Sequence, residues 1–159
     1  MSLKAGDSFP SGIFRIKDQE GLREISTEEY FKSSRVVLFA LPGAFTPTCS
    51  AKHLPGFINN YEEIISKGVS KIACMAVNDP HVMQAWGEVS NANDKIDMLS
   101  DSDCSVSKSL GLDHNFGKVL GHRSKRFAVI VDNNVIQKIF VEEIGAFDVS
   151  TAENILNNL

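Results

Sequence analysis

A cysteine follows the turn that joins a predicted buried strand to a predicted helix. Residues 42–50 have the sequence PGAFTPTCS and come directly after an apolar run at residues 36–41. Pro47 suits the first helical position, which makes Thr46 the predicted N-cap and Cys49 the third helical residue. The free N–H groups and positive dipole end of a first helical turn stabilise a thiolate, the nucleophilic form of cysteine. We therefore predict that Cys49 is a nucleophile.

Basic residues at 122–126 lie just before a second predicted strand, residues 127–131. If that strand neighbours the strand at residues 36–41, the guanidinium of Arg126 comes close to Cys49 and can donate several hydrogen bonds to an oxygen substrate. Complete ionisation of an ordinary thiol raises the thiolate concentration at neutral pH only about 30-fold. Fast chemistry therefore also needs a group, such as this guanidinium, that stabilises the transition state. The alternative is that Arg126 belongs to a solvated strand end.

The other candidates for chemistry are a histidine and two further cysteines. His53 lies four residues after Cys49, a spacing at which side chains stack along a helix surface rather than meet as nucleophile and base. Cys74 lies in the apolar run at residues 71–77 and is predicted to fill the core. Burial as a small hydrophobic residue is also the alternative to a nucleophilic role for Cys49. Cys104 has acidic neighbours, which predict an exposed and weakly nucleophilic thiol.

Composition limits the possible classes of protein. A chain of 159 residues with 43% hydrophobic and 23% charged residues is predicted to form a single domain over residues 1–159. The net charge of −4 disfavours nucleic acid and anionic membranes, and the sequence lacks an apolar run long enough to span a bilayer. Three widely spaced cysteines without a metal-ligand spacing predict reduced thiols in the cytoplasm, with no metal and no cofactor.

The pattern of elements places Cys49 at the carboxyl end of a buried strand. Apolar residues recur at three- and four-residue steps over residues 48–67, which predicts an amphipathic helix, and Pro55 predicts a kink within it. Residues 113–121 are predicted to be a loop. Residues 127–141 are predicted to form a hairpin around an Asp-Asn-Asn turn.

The predicted order is βαβαβαββα after an N-terminal extension, with helix-capping sequences that begin at Ser26 and Ser150. Alternating strands and helices favour parallel strands covered by helices on both faces, and the late hairpin adds antiparallel pairs. A thioredoxin-like α/β fold with a mixed central sheet satisfies these constraints. In open α/β sheets, sites lie beyond the carboxyl ends of the strands, where Cys49 is predicted to lie.

The sequence at residues 42–50 resembles the active-site signature of peroxiredoxins of the Prx5 type, also called atypical type II peroxiredoxins. The resemblance extends in the family's order over nearly the whole chain, through the sequences AVNDP at 76–80, SD at 100–101, LGL at 110–112, KRFA at 125–128 and VD at 131–132. Trp86 also fits this pattern.

The resemblance implies a thiol peroxidase that acts on hydrogen peroxide and organic hydroperoxides. Cys49 is then the peroxidatic cysteine, which attacks a peroxide oxygen and becomes a sulfenic acid. Pro42 is similar to the proline that shields the sulfur from water, and Thr46 to the hydroxyl that bonds the sulfur and the peroxide. Arg126 is similar to the guanidinium that stabilises the thiolate and the developing oxyanion.

The recycling step departs from part of the family, because some members carry a resolving cysteine near the C-terminus and residues 144–151 contain none. Burial of Cys74 on a strand makes a disulfide with Cys49 doubtful, so we expect a one-Cys cycle. The family implies glutathione with glutaredoxin, or thioredoxin, as the external reductant. It also implies a homodimer formed at the active-site end, where Phe45, Phe116 and the turn at residues 79–81 can contribute.

Two other functions remain open at this stage. A thiol-disulfide oxidoreductase has the same architecture, but it requires a second cysteine in the helical turn, and the sequence CSAK at 49–52 lacks one. A redox sensor or binding partner could use the sulfenic acid of Cys49 as a signal without turning over peroxide.

Overall fold

The computed structural model describes residues 3–159 and contains a seven-stranded mixed sheet with the order β2-β1-β5-β4-β3-β8-β9. Strands β6 and β7 form a separate two-stranded sheet. The strands are β1 (Ile13–Asp18), β2 (Gly21–Ser26), β3 (Arg35–Ala40), β4 (Lys71–Ala76), β5 (Ile96–Ser100), β6 (Asp113–Asn115), β7 (His122–Ser124), β8 (Phe127–Asp132) and β9 (Val135–Val141).

Strand β3 lies inside the sheet, parallel to β4 and antiparallel to β8. Its side chains alternate between two buried layers, with Val37 and Phe39 on one face and Val36 and Leu38 on the other. Burial on both faces explains why this strand is a continuous apolar run rather than an alternating one.

Helices cover both faces of the sheet, as predicted. They are α1 (Thr27–Phe31), α2 (Leu54–Asn59), α3 (Tyr61–Ser66), α4 (Pro80–Val89), α5 (Ser105–Leu110), α6 (Gly117–Leu120) and α7 (Ala152–Asn157). Buried side chains of α2, α3, α4 and α7 pack against the face that contains Phe39, and those of α1 and α5 pack against the opposite face. The mixed α/β architecture predicted from the sequence is confirmed.

The helix predicted over residues 48–67 is divided into three pieces. A π-helical turn at Cys49–His53 comes first, and the N–H of Leu54 donates to the carbonyl of Cys49. Asn60 then separates α2 from α3. Pro55 cannot donate to a carbonyl of the preceding turn, and a wider turn accommodates its ring. The distortion that we expected at Pro55 therefore begins earlier, at Cys49 itself.

The stretch predicted to be a loop at residues 113–121 is more ordered than expected. Strand β6 pairs with β7, and α6 connects them. His122 Nε2 lies 2.6 Å from Asp113 Oδ2 and joins the two strands diagonally. The strands are only three residues long, too short to produce a period-two pattern, which is why the sequence did not indicate them.

The predicted cap at Ser26 and the predicted hairpin turn are confirmed, whereas the last helix is capped by Thr151 rather than by Ser150, where the predicted capping sequence begins. Ser26 and Thr151 cap α1 and α7 by accepting from the backbone N–H three residues later. The hairpin of β8 and β9 turns through Asn133 and Asn134, which have φ values of 46° and 71°. Asparagine tolerates this left-handed conformation better than most residues, as a two-residue hairpin turn requires.

Candidate active site

Cys49 lies on the first helical turn after β3, and its residue is 1% exposed. The N–H of Ser50 donates to the carbonyl of Thr46 over 2.9 Å, and the helix begins at Pro47. Thr46 therefore occupies the N-cap position and Cys49 the third helical position, as predicted from the proline.

Arg126 reaches the sulfur of Cys49 from strand β8. The antiparallel register places Phe127 opposite Ala40, the last residue of β3, so Arg126 lies beside the start of the loop that leads to Cys49. Its Nη2 donates to Cys49 Sγ over 3.1 Å, and its Nη1 approaches His53 Nδ1 at 2.8 Å. The strand adjacency on which this contact depended is confirmed, and a solvated strand end is excluded.

His53 is fully buried rather than stacked along the helix surface, so that expectation was wrong. Its ring lies 4.9 Å from that of Phe39 and 5.1 Å from that of Phe147, measured between centroids. Because a guanidinium only donates, Nδ1 must accept from Arg126, and the proton lies on Nε2, which donates to the carbonyl of Ser150 over 3.0 Å. His53 therefore orients Arg126 and makes no base contact with Cys49.

The charge state of His53 follows from this arrangement. Burial, reinforced by the positive charge of Arg126, lowers the pKa of His53 to about 3. The ring is therefore neutral at physiological pH and keeps Nδ1 free to accept the hydrogen bond from Arg126.

The loop before the helix is held by its own hydrogen bonds. Thr46 Oγ1 donates to the carbonyl of Gly43 over 2.7 Å, and the N–H of Ala44 donates to Asn78 Oδ1 over 2.8 Å. Since the hydroxyl proton of Thr46 is engaged, the oxygen is left to accept a hydrogen bond.

A cavity of about 130 Å³ opens beside Arg126. It is lined by Pro42, Thr48, Phe116, Arg126 and residues 142–146. This volume admits several water-sized groups and therefore a small hydroperoxide. Pro42 and Arg126, both sequence candidates, thus line the same cavity, and Arg126 connects it to the sulfur of Cys49.

Glu142 was not among the predicted site residues, yet it folds one wall of this cavity. Its Oε2 accepts from the N–H of Asp148, the N–H of Ser150 and the hydroxyl of Ser150 at 2.7–2.8 Å. Burial would raise the pKa of Glu142, but the hydrogen bonds from Ser150 and Asp148 outweigh it and lower the pKa. No local pattern marks such a residue, because its donors lie beyond the strand end in an aperiodic loop.

The other two cysteines are also free thiols in buried positions. Cys74 lies fully buried on β4, as predicted. Its burial and, to a smaller extent, the neighbouring Cys49 raise its pKa well above the ordinary value.

Cys104 is only 7% exposed, so its predicted exposure was wrong. Asp101 accepts from the N–H groups of Val106 and Ser107, which folds the intervening turn inward. Burial, then Asp101, raise the pKa of Cys104, which agrees with its predicted weak nucleophilicity.

The chain is similar to known proteins over almost its whole length. The family model described as Redoxin matches residues 4–156. Peroxiredoxin-2D of Arabidopsis thaliana is 42% identical over 159 residues, which cover 99% of this chain and 98% of the relative. Within residues 3–159, none of the helices has both the length and the apolar character that a membrane span needs.

Two solved structures are similar over the whole length. Reduced Prx3 of Vibrio vulnificus in complex with hydrogen peroxide has a TM-score of 0.96 and 44% identity, and the match covers 98% of both chains. The antioxidant protein of Plasmodium falciparum, a 1-Cys peroxiredoxin, has a TM-score of 0.91 and 31% identity, and the match covers 99% of this chain and all of that one.

The buried neutral His53 generates a prediction about stability. Its pKa of about 3 in the folded protein lies below the value of about 6.5 expected in the unfolded chain. Between these values the unfolded state binds the proton more readily, so the free energy of unfolding falls as pH falls, by at most about 1.4 kcal/mol per pH unit. Replacement of His53 by Gln removes this contribution. Denaturant unfolding from pH 7 to pH 4 should therefore give a flatter pH profile for His53→Gln than for the unmodified protein.

Both proteins have the same carboxylates, so subtracting one profile from the other removes the contribution of these groups to the pH dependence of unfolding. His81→Gln, which removes an exposed histidine, is the matched control. Parallel profiles for His53→Gln and the unmodified protein would show that His53 is not held neutral by the fold.

Proposed function

Because the chain belongs to the peroxiredoxin family of thiol peroxidases, we propose that Cys49 reduces hydrogen peroxide and organic hydroperoxides in a one-Cys cycle. The 3.1 Å hydrogen bond from Arg126 to the sulfur of Cys49, beside a cavity of suitable size, is the observation that carries the proposal. In our interpretation the whole chain acts as one catalytic domain.

The first step is a two-electron oxidation of the thiolate. The sulfur attacks the terminal peroxide oxygen, the S–O bond forms as the O–O bond breaks, and the leaving oxygen takes a proton to depart as water or an alcohol. Arg126 is placed to donate to the oxygens on which negative charge develops, which lowers the barrier most when the donor is already oriented. His53 supplies that orientation.

Thr46 and Pro42 complete the proposed site. The terminal oxygen of a hydroperoxide carries the proton, so the accepting oxygen of Thr46 suits that end of the substrate and directs it toward the sulfur. Pro42 lines the cavity without offering an N–H group, and its ring limits the access of water to the sulfur.

The second step requires a thiol from outside the chain. Cys74 is fully buried on an interior strand, and burial keeps its sulfur protonated, so it is a poor partner for the sulfenic acid. An external thiol attacks the sulfenic sulfur, expels water and forms a mixed disulfide, which a second thiol reduces. The similar Plasmodium protein is described as 1-Cys, which supports this cycle. Glutathione with glutaredoxin is the preferred reductant and thioredoxin the second choice, in the reducing cytoplasm.

The role of Arg126 is tested by separating ionisation from reaction. Arg126→Ala and Arg126→Lys should slow oxidation of Cys49 about 100- to 1000-fold at a pH where the thiol is fully ionised in every variant, since each loses an oriented donor. Lysine keeps the charge but cannot reach the sulfur and His53 together. Stopped-flow peroxide consumption and thiolate absorbance measure the two quantities.

Cys49→Ser is the inactive control, and Lys125→Ala controls for loss of a neighbouring positive charge. If the Arg126 variants matched the unmodified protein at full ionisation, Arg126 would act only on the ionisation of Cys49. If the unmodified protein reacted no faster than free cysteine, the peroxidase proposal itself would fail and the redox-sensor alternative would stand.

The one-Cys cycle is tested by mass spectrometry after one equivalent of peroxide without reductant. We expect the protein to gain one oxygen atom at Cys49, and Cys74→Ala should turn over at an unchanged rate with glutathione and glutaredoxin. Loss of two hydrogen atoms, with a crosslinked peptide that joins Cys49 to Cys74 or Cys104, would contradict the cycle.

We also propose that the chain forms a homodimer through the end that contains the cavity. Phe45 is 56% exposed and Ile144 is 54% exposed, and Ile144 lines the cavity together with Phe116. Exposed apolar side chains grouped around a functional site are typical of an interaction surface.

Sedimentation velocity tests this surface. Phe45→Glu should shift the protein from dimer to monomer, because it places a charge in a desolvated contact. Val89→Glu, a change at an exposed apolar residue of α4, should leave the dimer intact. A monomeric unmodified protein would contradict the proposal.

A further inference from the structure

We propose that Arg123 is a positioning residue for the peroxide reaction, which holds the Pro42–Thr46 loop against the β6–β7 sheet. Arg123 lies on β7, and its Nη1 donates to the carbonyl of Pro42 over 3.1 Å. Its Nε donates to the carbonyl of Leu120, on α6, over 2.7 Å. One guanidinium therefore connects the catalytic loop to the short segment that precedes β8.

The glycine in the catalytic loop supports this inference independently. A Cβ atom built on Gly43 would overlap Nη1 of Arg123. The backbone of Gly43 is not left-handed, so its φ angle does not require glycine. The close approach of the guanidinium accounts for glycine at this position, and a methyl group there would push Arg123 away from the carbonyl of Pro42.

The contact acts on the groups that meet the substrate. Pro42 lines the cavity, and its carbonyl accepts from Arg123. The next carbonyl, that of Gly43, accepts from the hydroxyl of Thr46. Release of Arg123 frees the loop at Pro42 and lets the oxygen of Thr46 move relative to Cys49. Misplacement of a reacting group by about 1 Å can cost about 100-fold in rate.

The same segment also carries Arg126, three residues further along the chain. Arg123 contacts the start of the loop at Pro42, and Arg126 contacts the sulfur of Cys49, three residues beyond the end of the loop. The segment at residues 120–126 thus sets the distance between the loop and the oxyanion donor. The β6–β7 sheet supports that segment, and the contact of His122 with Asp113 joins its two strands.

This inference rests on the proposed role of Cys49 as the attacking thiol, and a double-mutant cycle tests it. Arg123→Ala should slow oxidation of Cys49 about 10- to 100-fold with little change in the thiolate titration. Gly43→Ala should cause a similar loss, because its methyl group displaces the same guanidinium. The double variant should be no slower than the slower single variant, since both changes break one contact.

Arg123→Lys separates position from charge, because lysine keeps the charge but cannot bond two carbonyls in the geometry of a guanidinium. It should be as slow as Arg123→Ala. Lys118→Ala removes an exposed positive charge of the neighbouring helix α6 and should react at the unmodified rate. Thermal unfolding of each variant identifies any that do not fold. If Arg123→Ala is one of these, Gly43→Ala, Arg123→Lys and the double variant that combines them still form a cycle.

Three outcomes would overturn the inference. A double variant with the product of the two single losses would mean that Gly43 and Arg123 act separately. A normal oxidation rate in Arg123→Lys would mean that only the positive charge of residue 123 matters. A loss of rate explained by the thiolate titration would mean that this charge acts only on the ionisation of Cys49. In each case fast oxidation of the unmodified protein keeps the peroxidase proposal intact, whereas slow oxidation of that protein would remove both.

Discussion

The guanidinium of Arg126 lies between the sulfur of Cys49 and the ring of His53, and the surrounding structure is arranged to keep it there. A partly buried cation is costly unless its N–H groups find acceptors. The sulfur and Nδ1 of His53 provide two of them at 3.1 Å and 2.8 Å. A protonated His53 would present a second donor to Arg126, so the fold must keep the ring neutral. It does so by burial among Phe39, Phe57 and Phe147.

The helix that carries Cys49 presents two groups to Arg126. Cys49 and His53 are four residues apart, a spacing that puts both side chains on the same face of a helix. The π-helical turn at Cys49–His53 changes the angular spacing of side chains from that of an α-helix. Trp86 also contacts the turn, because its Nε1 donates to Ser50 Oγ over 3.0 Å. A regular α-helix would bring the ring of Pro55 against the carbonyl of Ala51, so the proline favours the wider turn together with these contacts.

The sequence predicted the parts of the site that depend on local pattern. The strand that ends before Pro42, the N-cap position of Thr46 and the helical position of Cys49 all follow from residue types within about ten positions, and the structure confirms them. Arg126 followed from its place before a strand that could neighbour β3, whereas Pro42 was supplied as a site residue only by the resemblance to peroxiredoxins. Two other contacts between distant residues escaped prediction: His53 meets Ser150 across 97 positions, and Arg123 meets Pro42 across 81. These contacts depend on sheet register and on short aperiodic segments, which leave no periodic signal.

The segment after β9 shows how the site and the recycling step are connected. In some family members a resolving cysteine lies in the corresponding region, and a disulfide would require its sulfur to approach that of Cys49. Here Glu142 ties the segment down with three hydrogen bonds to one oxygen, and the carbonyl of Ser150 accepts from His53. Movement of residues 148–150 toward the sulfur would break these bonds, expose a buried carboxylate and release the ring that orients Arg126. The segment after β9 therefore holds the ring of His53 that accepts from Arg126, and its displacement would disturb the contact between Arg126 and the sulfur.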